Sequence, residues 1–256
     1  MVQRCWQSWK HHNPDWQFQI VDRASLARHT SLPEQIDLDR DDLTVQQISD
    51  LVRLGLLRAH GGVWVDATTF CSQPLDAWLP EYSATGFFAF RNPGRDRLMS
   101  SWFLAAESDT RLLMQLHDRY MNLFTQTYYS QQNTVVGDIS RRLLKPFLTR
   151  NVRCSRLWVS RPLVRLLRTY PYFNLHYTFN SIILEDGAAA QIWTAARQFA
   201  ASEPHFLGRI RDQEDALEQA ARFIGTRRCP IHKLNWKLNT EDPYWREVFL
   251  LLAESL

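Results

Sequence analysis

The chain has 256 residues, of which 45% are hydrophobic and 22% charged, a balance that excludes a disordered tail or a fibrous repeat and allows a substantial core. Its four cysteines form no CxxC pair, which excludes a zinc knuckle and a dense disulfide framework and fits a reducing compartment. No run approaches the roughly 18 apolar residues that span a bilayer, and no signal-peptide core follows the first residues, so we expect a soluble, cytoplasmic protein.

The apolar pattern predicts a helix over 2–12, a strand over 16–21 and, after a capping-box pair of Thr44 and Gln47, a helix that ends at Gly61 and Gly62. A short buried strand over 63–65 and another strand over 86–90 follow. Further helices are predicted over 110–128, 135–148, 161–169, 174–186, 212–224 and 243–255. Short strands separated by longer helices indicate an α/β or α+β fold, and without a repeat or a low-complexity linker we expect a single domain.

Positive charge is concentrated in one window, residues 141–168, which holds nine of the 30 basic residues and no acid. The rest of the chain therefore carries 21 basic residues against 27 acidic ones. Apolar residues are interleaved with the basic ones, so the window is either a pair of solvated surface helices or a basic amphipathic surface for an anionic membrane leaflet or a polyanionic acceptor. Nucleic acid ranks lower as a partner because no recognisable nucleic-acid-binding module accompanies the window.

The residues from 49 to 68 combine an acid–arginine pair, a glycine pair and a second acid. Asp50 and Arg53 lie three residues apart and share one side of the predicted helix. Gly61 and Gly62 let the chain reverse, and Asp66 follows the predicted strand at the edge where open α/β sheets bind ligands. Each feature alone has a structural explanation, as an ion pair, a helix C-cap and a turn cap. Their order and spacing together predict a binding site.

This segment resembles the core of the glycosyltransferases of capsular polysaccharide synthesis, which belong with the family 32 sugar transferases that carry an Asp-x-Asp motif. The likeness extends over nearly the whole chain. It includes the opening helix and turn at 5–15, the apolar segment at 87–90, the Ser-Ser-Trp segment at 100–106, the helix at 172–180, the Pro204-His205 loop and the closing motif at 233–237.

The resemblance implies a GT-A-like α/β fold, with a central mixed sheet flanked by helices and helical insertions in the second half, in one domain over 1–256. It implies a hexosyltransferase that retains configuration. Such an enzyme moves a sugar from a nucleotide-diphospho-sugar onto a capsular or surface polysaccharide or a lipid-linked oligosaccharide. Mn²⁺ or Mg²⁺ would neutralise the charge of the leaving diphosphate.

Carried over residue by residue, the resemblance implies a catalytic Asp66 that holds the ribose and, with His205, the metal ion. It places His176 or Asn180, also implied to be catalytic, at the reacting sugar. From the residues alone, His205 is equally well explained as a surface-loop residue and His176 as a satisfied core histidine.

The donor site implied by the resemblance includes Asp50 and Arg53, which would hold hydroxyls of the donor sugar. The other implied donor-binding residues are Gly61, Gly62, Trp64, Thr68 and, as point charges for the diphosphate, Lys233 and Lys237. The two lysines lie four residues apart, so an exposed helix would explain them as well. The rings of Trp64, Trp102 and Trp236 fit either the core or a pocket rim that stacks on a base or a sugar.

Two features depart from the family pattern. Thr68 stands where the motif has its second carboxylate, which predicts weaker cation binding. Family members also carry an apolar, Trp-rich strand before the helix that contains Cys5, so we expect the first nucleotide-binding strand to be missing from 1–256.

Two functions of different classes follow from these observations. The first is a glycosyltransferase that the window 141–168 brings to the inner face of the cell membrane. The alternative is a catalytically inactive, sugar-binding subunit of a polysaccharide assembly complex. A nucleic-acid-binding protein is the weakest interpretation, and no nucleic-acid partner is expected.

Overall fold

The structure is a computed structural model that describes residues 1–125, 135–167, 170–235 and 237–254, without the side chains of 135–138. Arg168 and Trp236 lie outside the described residues, as do the last residues of the helices predicted over 110–128, 161–169 and 243–255. The chain forms two compact units. Unit 1 comprises Met1–Ile20, Val65–Tyr82 and Phe199–Leu256, and unit 2 comprises Val21–Trp64 and Ser83–Gln198. The expectation of one domain stays a prediction.

Unit 1 combines short helices with one two-stranded sheet among its described residues. In chain-order numbering for the whole molecule, its elements are α1 (Val2–His12), β2 (Thr69–Cys71), α4 (Leu79–Tyr82), α11 (Phe206–Ile210), α12 (Ala216–Gly225), β5 (Ile231–Lys233) and α13 (Pro243–Ala253). Strands β2 and β5 pair antiparallel, with Thr69 opposite Lys233. The indole of Trp9 on α1 donates to Thr69 O at 2.7 Å, which fixes α1 against β2. Phe70, next to that anchored position, is buried in the unit's apolar core.

Unit 2 combines a three-stranded sheet with most of the long helices. Its elements are α2 (Leu32–Gln35), α3 (Val45–His60), β1 (Gly62–Val65), β3 (Phe87–Gly94), β4 (Arg97–Ala106), α5 (Arg111–Thr125), α6 (Val135–Leu148), α7 (Val152–Ser155), α8 (Arg161–Leu167), α9 (Asn174–Glu185) and α10 (Gly187–Ala195). The last residue of β1 begins the second stretch of unit 1. The sheet order is β1-β4-β3, and β3 and β4 pair antiparallel. Helices α3, α5 and α9 contribute Leu54, Leu116 and Phe179 to the buried core of this unit.

The fold is therefore mixed α/β, with small sheets and many helices, as the sequence predicts at that level. Helix α1 has the predicted bounds, and α3 begins with the predicted capping box, in which Gln47 N donates to Thr44 Oγ1 and Gln47 Oε1 accepts from Thr44 N. Helix α3 ends at His60, and its C-cap is the predicted Gly61, whose φ of 67° is in the region that glycine tolerates. The GT-A arrangement itself stays a prediction.

Three fold expectations need correction. Residues 16–21 form no strand, because no strand among the described residues pairs with them. Trp16 and Ile20 are exposed, and the indole of Trp16 donates to Asp76 Oδ1 at 3.1 Å. Strand β1 exists but lies at an edge of its sheet and is half-buried, since β4 is the central strand. Instead of one central sheet, the described residues form two small ones, one of three strands and one of two.

Candidate functional site

In unit 1, a turn and the two-stranded sheet place Asp66, Thr68 and Lys233 together. Asp66 directly follows β1 in the chain, and its carbonyl oxygen accepts a hydrogen bond from Thr69 N at 3.0 Å, so β2 begins right after a tight turn. Lys233 ends β5 opposite Thr69, and Leu234 N donates to Thr68 O at 2.8 Å. Backbone hydrogen bonds on both strands therefore hold the lysine at the motif.

The side chain of Lys233 contacts both polar positions of the motif. Its Nζ donates to Thr68 Oγ1 at 2.5 Å and lies 3.6 Å from Asp66 Oδ2. The lysine side chain is 14% exposed and that of Asp66 is 30% exposed, so the pair is shielded on the lysine side and more open to solvent on the aspartate side. We call Asp66, Thr68, His205 and Lys233 the Asp66 cluster.

His205 lies beside the same lysine, immediately before α11. The carbonyl oxygen of the preceding Pro204 accepts from Lys233 N at 2.8 Å. Burial first, and then the positive charges of Lys233 and Arg209, lower the pKa of His205 from 6.5 to about 4. The imidazole is therefore neutral at pH 7, with one nitrogen that donates and one that accepts.

The Asp66 cluster fits a divalent cation poorly. Among the described residues, no group of three or more His, Cys, Asp and Glu side chains could hold a metal ion. The two motif oxygens that a cation would need already contact the ammonium of Lys233. A divalent ion bound about 2.1 Å from Asp66 Oδ2 would lie within about 6 Å of that ammonium. The two cations would then repel each other by about 5 kcal/mol at an effective dielectric constant of about 20.

Lys237, the second predicted lysine, lies four residues after Lys233 in the chain. It is exposed and occupies a turn after β5, where its backbone N donates to Asn235 Oδ1 at 2.9 Å. The two lysines therefore do not share a helix, because Lys233 belongs to a strand and Lys237 to a turn. The role of Lys237 at the diphosphate stays a prediction.

In unit 2, the predicted pair of Asp50 and Arg53 forms one buried ion pair on α3. Arg53 Nη1 lies 3.0 Å from Asp50 Oδ1, and the side chains of Arg53 and Asp50 are only 6% and 8% exposed, respectively. Arg53 Nη1 also donates to Ser101 O on β4 at 2.6 Å. The guanidinium lies over the ring of Trp64, 5.3 Å from the ring centroid. The pair thus connects α3 to β4 and to the indole on β1.

Two residues that sequence reasoning missed complete this second site. The hydroxyl of Tyr120 on α5 donates to Asn174 Oδ1 on α9 at 2.9 Å and lies 3.3 Å from Asp50 Oδ2. Burial, followed by the nearby charge of Asp50, raises the pKa of Tyr120 well above 10. Asn174 stands inside the 172–180 segment that carries the resemblance, whereas Tyr120 has no sequence signal beyond its place on an apolar helix face. We call Asp50, Arg53, Tyr120 and Asn174 the Asp50 cluster.

His176 lies on α9 and is almost completely buried. Burial first, and then the charges of Arg97 and Arg53, lower its pKa to about 3, so the ring is neutral at pH 7. Its Nδ1 and the Nδ2 of Asn174 are buried without a hydrogen-bond partner among the described residues. The alternative of a satisfied core histidine fits its burial but not its unsatisfied nitrogen.

The amide of Asn180 is used by the protein itself. Its Nδ2 donates to Asp96 O at 2.7 Å and to Ser155 Oγ at 2.8 Å, and its Oδ1 accepts from Leu98 N at 3.2 Å. The side chain is fully buried. These bonds hold the turn between β3 and β4 against α7, which argues for a structural role rather than contact with a reacting sugar.

The two predicted glycines differ in their surroundings. A Cβ at Gly61 would lie 3.1 Å from Ala106 O and 3.2 Å from Ser108 N, so the glycine permits close approach to the end of β4. Gly62 has a φ of 87°, but a Cβ there would meet no atom within 4 Å. Both therefore satisfy backbone requirements, and their predicted contact with the donor stays a prediction.

Comparison with known proteins identifies the class to which these sites belong. A family model described as capsular polysaccharide synthesis protein matches residues 1–139. Because this match covers more than half of the chain, the protein belongs to the capsular polysaccharide synthesis family, which indicates a role in capsule synthesis. No curated protein and no solved structure was found that matches the chain.

The family match includes the segment with Asp50, Arg53, Asp66 and Thr68 and ends before Lys233. The resemblance inferred from the sequence is thus confirmed at the family level. The likeness of the motifs after residue 139, including those at 172–180 and 233–237, stays a prediction.

Proposed function

We propose that this protein is a glycosyltransferase that moves a sugar from a nucleotide-diphospho-sugar onto a glycan of the capsule or its lipid-linked precursor. The observation that supports this most is the contact of the Lys233 ammonium with both Asp66 and Thr68. This contact puts a fixed positive charge beside a partly exposed carboxylate. A nucleotide sugar needs both kinds of group, a cation for its diphosphate and acceptors for its hydroxyls.

In the proposed reaction, the acceptor hydroxyl oxygen bonds to the anomeric carbon of the donor sugar. The bond between that carbon and the β-phosphate oxygen breaks, and its electron pair stays on the diphosphate. The acceptor attacks from the face that the diphosphate leaves, and the hydroxyl proton passes to the departing diphosphate, so the products are a glycoside of retained configuration and a nucleoside diphosphate. Lys233 stabilises the negative charge that develops on the phosphate oxygens, an electrostatic contribution typically worth about 10²–10³ in rate.

The Asp50 cluster has a positioning role in this proposal. Both charged side chains are nearly excluded from solvent and are paired with each other, so a sugar hydroxyl would have to displace a buried ion pair. Arg53 instead supports the indole of Trp64, which stands two residues before Asp66 in the chain. We therefore assign Asp50 and Arg53 to holding β1, in place of the direct contact with donor hydroxyls that the resemblance implies.

Release of nucleoside diphosphate from UDP-, GDP- and TDP-sugars tests the proposed activity. Asp66→Asn should lower the rate at least about 100-fold while the circular dichroism spectrum stays unchanged. Asp212→Asn is the matched control in unit 1, since it removes the same charge from a side chain that is 91% exposed. Wild-type protein that releases no diphosphate from any of these donors would contradict the transferase.

The single motif carboxylate favours one second candidate, a sugar-binding subunit without turnover. It predicts that calorimetry detects nucleotide-sugar binding while no diphosphate is released. Asp66→Asn would then weaken binding. The two functions are separated by whether the bound donor is consumed.

We also propose that α6 brings the protein to an anionic membrane surface. Ile139, Leu143 and Phe147 are spaced four residues apart along α6, and each is more than half exposed. Leu144 and Leu148 face inward instead, in a cluster with Trp158. An exposed apolar stripe on a helix is costly in water unless a partner covers it.

The charges around this stripe favour a membrane as that partner. Arg142 and Lys145 on α6 are exposed, and residues 141–167 contain no acid. Basic residues beside an apolar helix face are typical of helices that lie in the interface of an anionic bilayer, at about 1 kcal/mol per basic residue near the surface. Among the described residues, no helix has the length and the low polarity needed to cross a membrane.

Flotation with vesicles tests this surface. The protein should float with phosphatidylglycerol-containing vesicles and not with neutral phosphatidylcholine vesicles. The double variant with Leu143→Ser and Phe147→Ser should lose most of that binding. Leu250→Ser is the control, because Leu250 is also exposed, at 57%, but lies on α13. Equal binding to neutral and anionic vesicles would contradict the proposal.

A further inference from the structure

The Asp66 cluster differs from an Asp-x-Asp metal site in two respects. The second carboxylate is replaced by the hydroxyl of Thr68, and the side chain of Lys233 occupies the space beside both motif oxygens. A divalent cation prefers several oxygen ligands with negative charge. Here one motif carboxylate is left, and the ammonium of Lys233 already lies 3.6 Å from its Oδ2.

We infer that Lys233 supplies the positive charge for the diphosphate in place of a divalent cation, so that donor binding and transfer need no metal. This inference rests on the proposed function, since it concerns how the same site meets the donor. It also extends it, because the family resemblance implies Mn²⁺ or Mg²⁺ at this position.

The hydrogen bonds of Lys233 leave its ammonium suited to this role. Nζ donates to Thr68 Oγ1 at 2.5 Å and to Leu234 O at 3.4 Å, and it lies 3.6 Å from Asp66 Oδ2. The contact with Asp66 is longer than a hydrogen bond, so a phosphate oxygen can approach the ammonium without breaking one there. The hydrogen bond to Thr68 holds the charge in place before the donor arrives, which is what makes a fixed charge effective.

The two differences from an Asp-x-Asp site change its charge in the same direction, and together they make it two units more positive, which is the charge that a divalent ion would bring. Thr68 removes one negative charge from the motif, and Lys233 adds one positive charge next to it. A site with two carboxylates needs a divalent ion before it attracts a diphosphate. A site with one carboxylate and one ammonium is neutral without any ion, and Asp66 remains able to accept hydrogen bonds from ribose hydroxyls.

His205 is consistent with Lys233 as the source of the positive charge in the cluster. Its ring is neutral beside Lys233, so it adds no further positive charge to the cluster. A neutral imidazole can donate one hydrogen bond to a phosphate oxygen.

Calorimetry in EDTA tests the inference without reference to turnover. The probes are inorganic pyrophosphate, UDP and GDP, and the full chain is used. Pyrophosphate should bind in EDTA, and added Mn²⁺ should change its affinity less than 2-fold. Lys233→Met should weaken binding at least 10-fold, and Lys233→Arg should restore most of it.

Lys10→Met is the matched control, since it removes the same charge from an exposed lysine on α1 in the same unit. Circular dichroism and thermal melting show whether the Lys233→Met variant is folded. If that variant does not fold, pyrophosphate binding is measured on Lys233→Arg, which keeps the positive charge. No binding of pyrophosphate in EDTA, or binding that appears only with Mn²⁺, would overturn the inference.

A charge swap gives a second readout. The variant that combines Thr68→Asp with Lys233→Met restores two carboxylates and removes the ammonium. It should bind Mn²⁺ in the presence of UDP, seen as loss of the electron paramagnetic resonance signal of free Mn²⁺, whereas wild-type protein should leave that signal unchanged. A wild-type protein that takes up Mn²⁺ as the swap variant does would overturn the inference.

These measurements separate the inference from the proposed function. Metal-free binding of pyrophosphate with no turnover of any donor would remove the transferase and leave the ammonium site intact. Turnover that EDTA abolishes and Mn²⁺ restores would confirm a transferase and overturn the inference.

Discussion

Each of the two clusters contains an acid next to a basic side chain, and these two pairs differ in almost every other respect. Asp50 and Arg53 are three residues apart on one helix, 3.0 Å apart in space and at most 8% exposed. Asp66 and Lys233 come from distant parts of the chain, lie 3.6 Å apart and are 30% and 14% exposed. The Asp50 pair also contacts Ser101, through a hydrogen bond from Arg53.

This difference separates a structural ion pair from a binding site. A buried pair cannot exchange its partner without leaving a charge in a medium of low dielectric constant. A partly exposed pair at more than hydrogen-bond distance can replace one partner by a ligand at little cost. We therefore expect substitutions in the Asp50 pair to affect stability most and those in the Asp66 pair to affect binding and turnover most.

The largest effect on stability is expected from Asp50→Leu. The substitution leaves the buried guanidinium of Arg53 without its carboxylate, at a cost of about 3–5 kcal/mol in the free energy of unfolding. Urea denaturation measures this cost. Adding Arg53→Met to the same variant should recover most of the lost stability, and a loss below about 1 kcal/mol in the single variant would show that the pair is not structural.

Lys233→Met should lower turnover strongly and stability only slightly, the opposite of Asp50→Leu. We expect donor turnover to fall about 100-fold, which equals about 2.7 kcal/mol of transition-state stabilisation. The free energy of unfolding should fall by no more than about 1 kcal/mol, the typical value of one hydrogen bond. Steady-state kinetics and urea denaturation of one preparation check both. A large loss of stability with unchanged turnover would reverse the assignment of the two pairs.

Acidification should lower the stability of the protein, because buried histidines resist protonation in the folded state. Burial lowers the pKa of His176 to about 3 and that of His232 to about 4, from 6.5 when unfolded. Between pH 6.5 and 4 the unfolded chain binds protons that the folded chain does not, so stability is full above pH 6.5 and is lost as the pH falls. Each histidine contributes a slope of about 1.4 kcal/mol per pH unit.

Denaturation midpoints at about pH 7.5 and about pH 5.5 test this slope. His176→Leu should make stability less dependent on pH by about the contribution of one group. An unchanged pH dependence in that variant would mean that His176 is protonated in the folded protein.

The smallest expected effect distinguishes Gly61 from Gly62. Both have positive φ, so alanine at either position costs about 1–2 kcal/mol in backbone strain. Only at Gly61 would the new methyl group also press on backbone atoms, namely Ala106 O and Ser108 N. Thermal melting should therefore show a larger loss for Gly61→Ala than for Gly62→Ala, and equal losses would contradict the close approach of β4.

Local sequence patterns predicted the parts of the molecule that depend on near neighbours. The capping box of Thr44 and Gln47, the C-cap of α3 at Gly61 and the pairing of Asp50 with Arg53 all involve residues within four positions. Such contacts follow from helix geometry alone. The strand expected over 16–21 was wrong because strand formation needs a distant partner that a local pattern does not reveal.

The candidate sites depend instead on contacts between residues that are far apart in the chain. Lys233 and Thr68 were both expected near the donor, yet the hydrogen bond between them follows from the pairing of β2 with β5, which spacing does not predict. Tyr120 was missed because a tyrosine on an amphipathic helix resembles any other core residue until its hydroxyl partner is known. Asn180 was expected at the reacting sugar, but its hydrogen bonds to the β3–β4 turn become visible only in three dimensions.

The chemical reactivity of the lysines tests the central claim most directly. The chain has four lysines, at positions 10, 145, 233 and 237, so acetylation of each can be followed by mass spectrometry. Saturating pyrophosphate in EDTA should slow acetylation of Lys233 at least 5-fold and leave Lys10 unchanged. Acetylation of Lys233 at the same rate with and without bound pyrophosphate would contradict the assignment of its ammonium to the diphosphate.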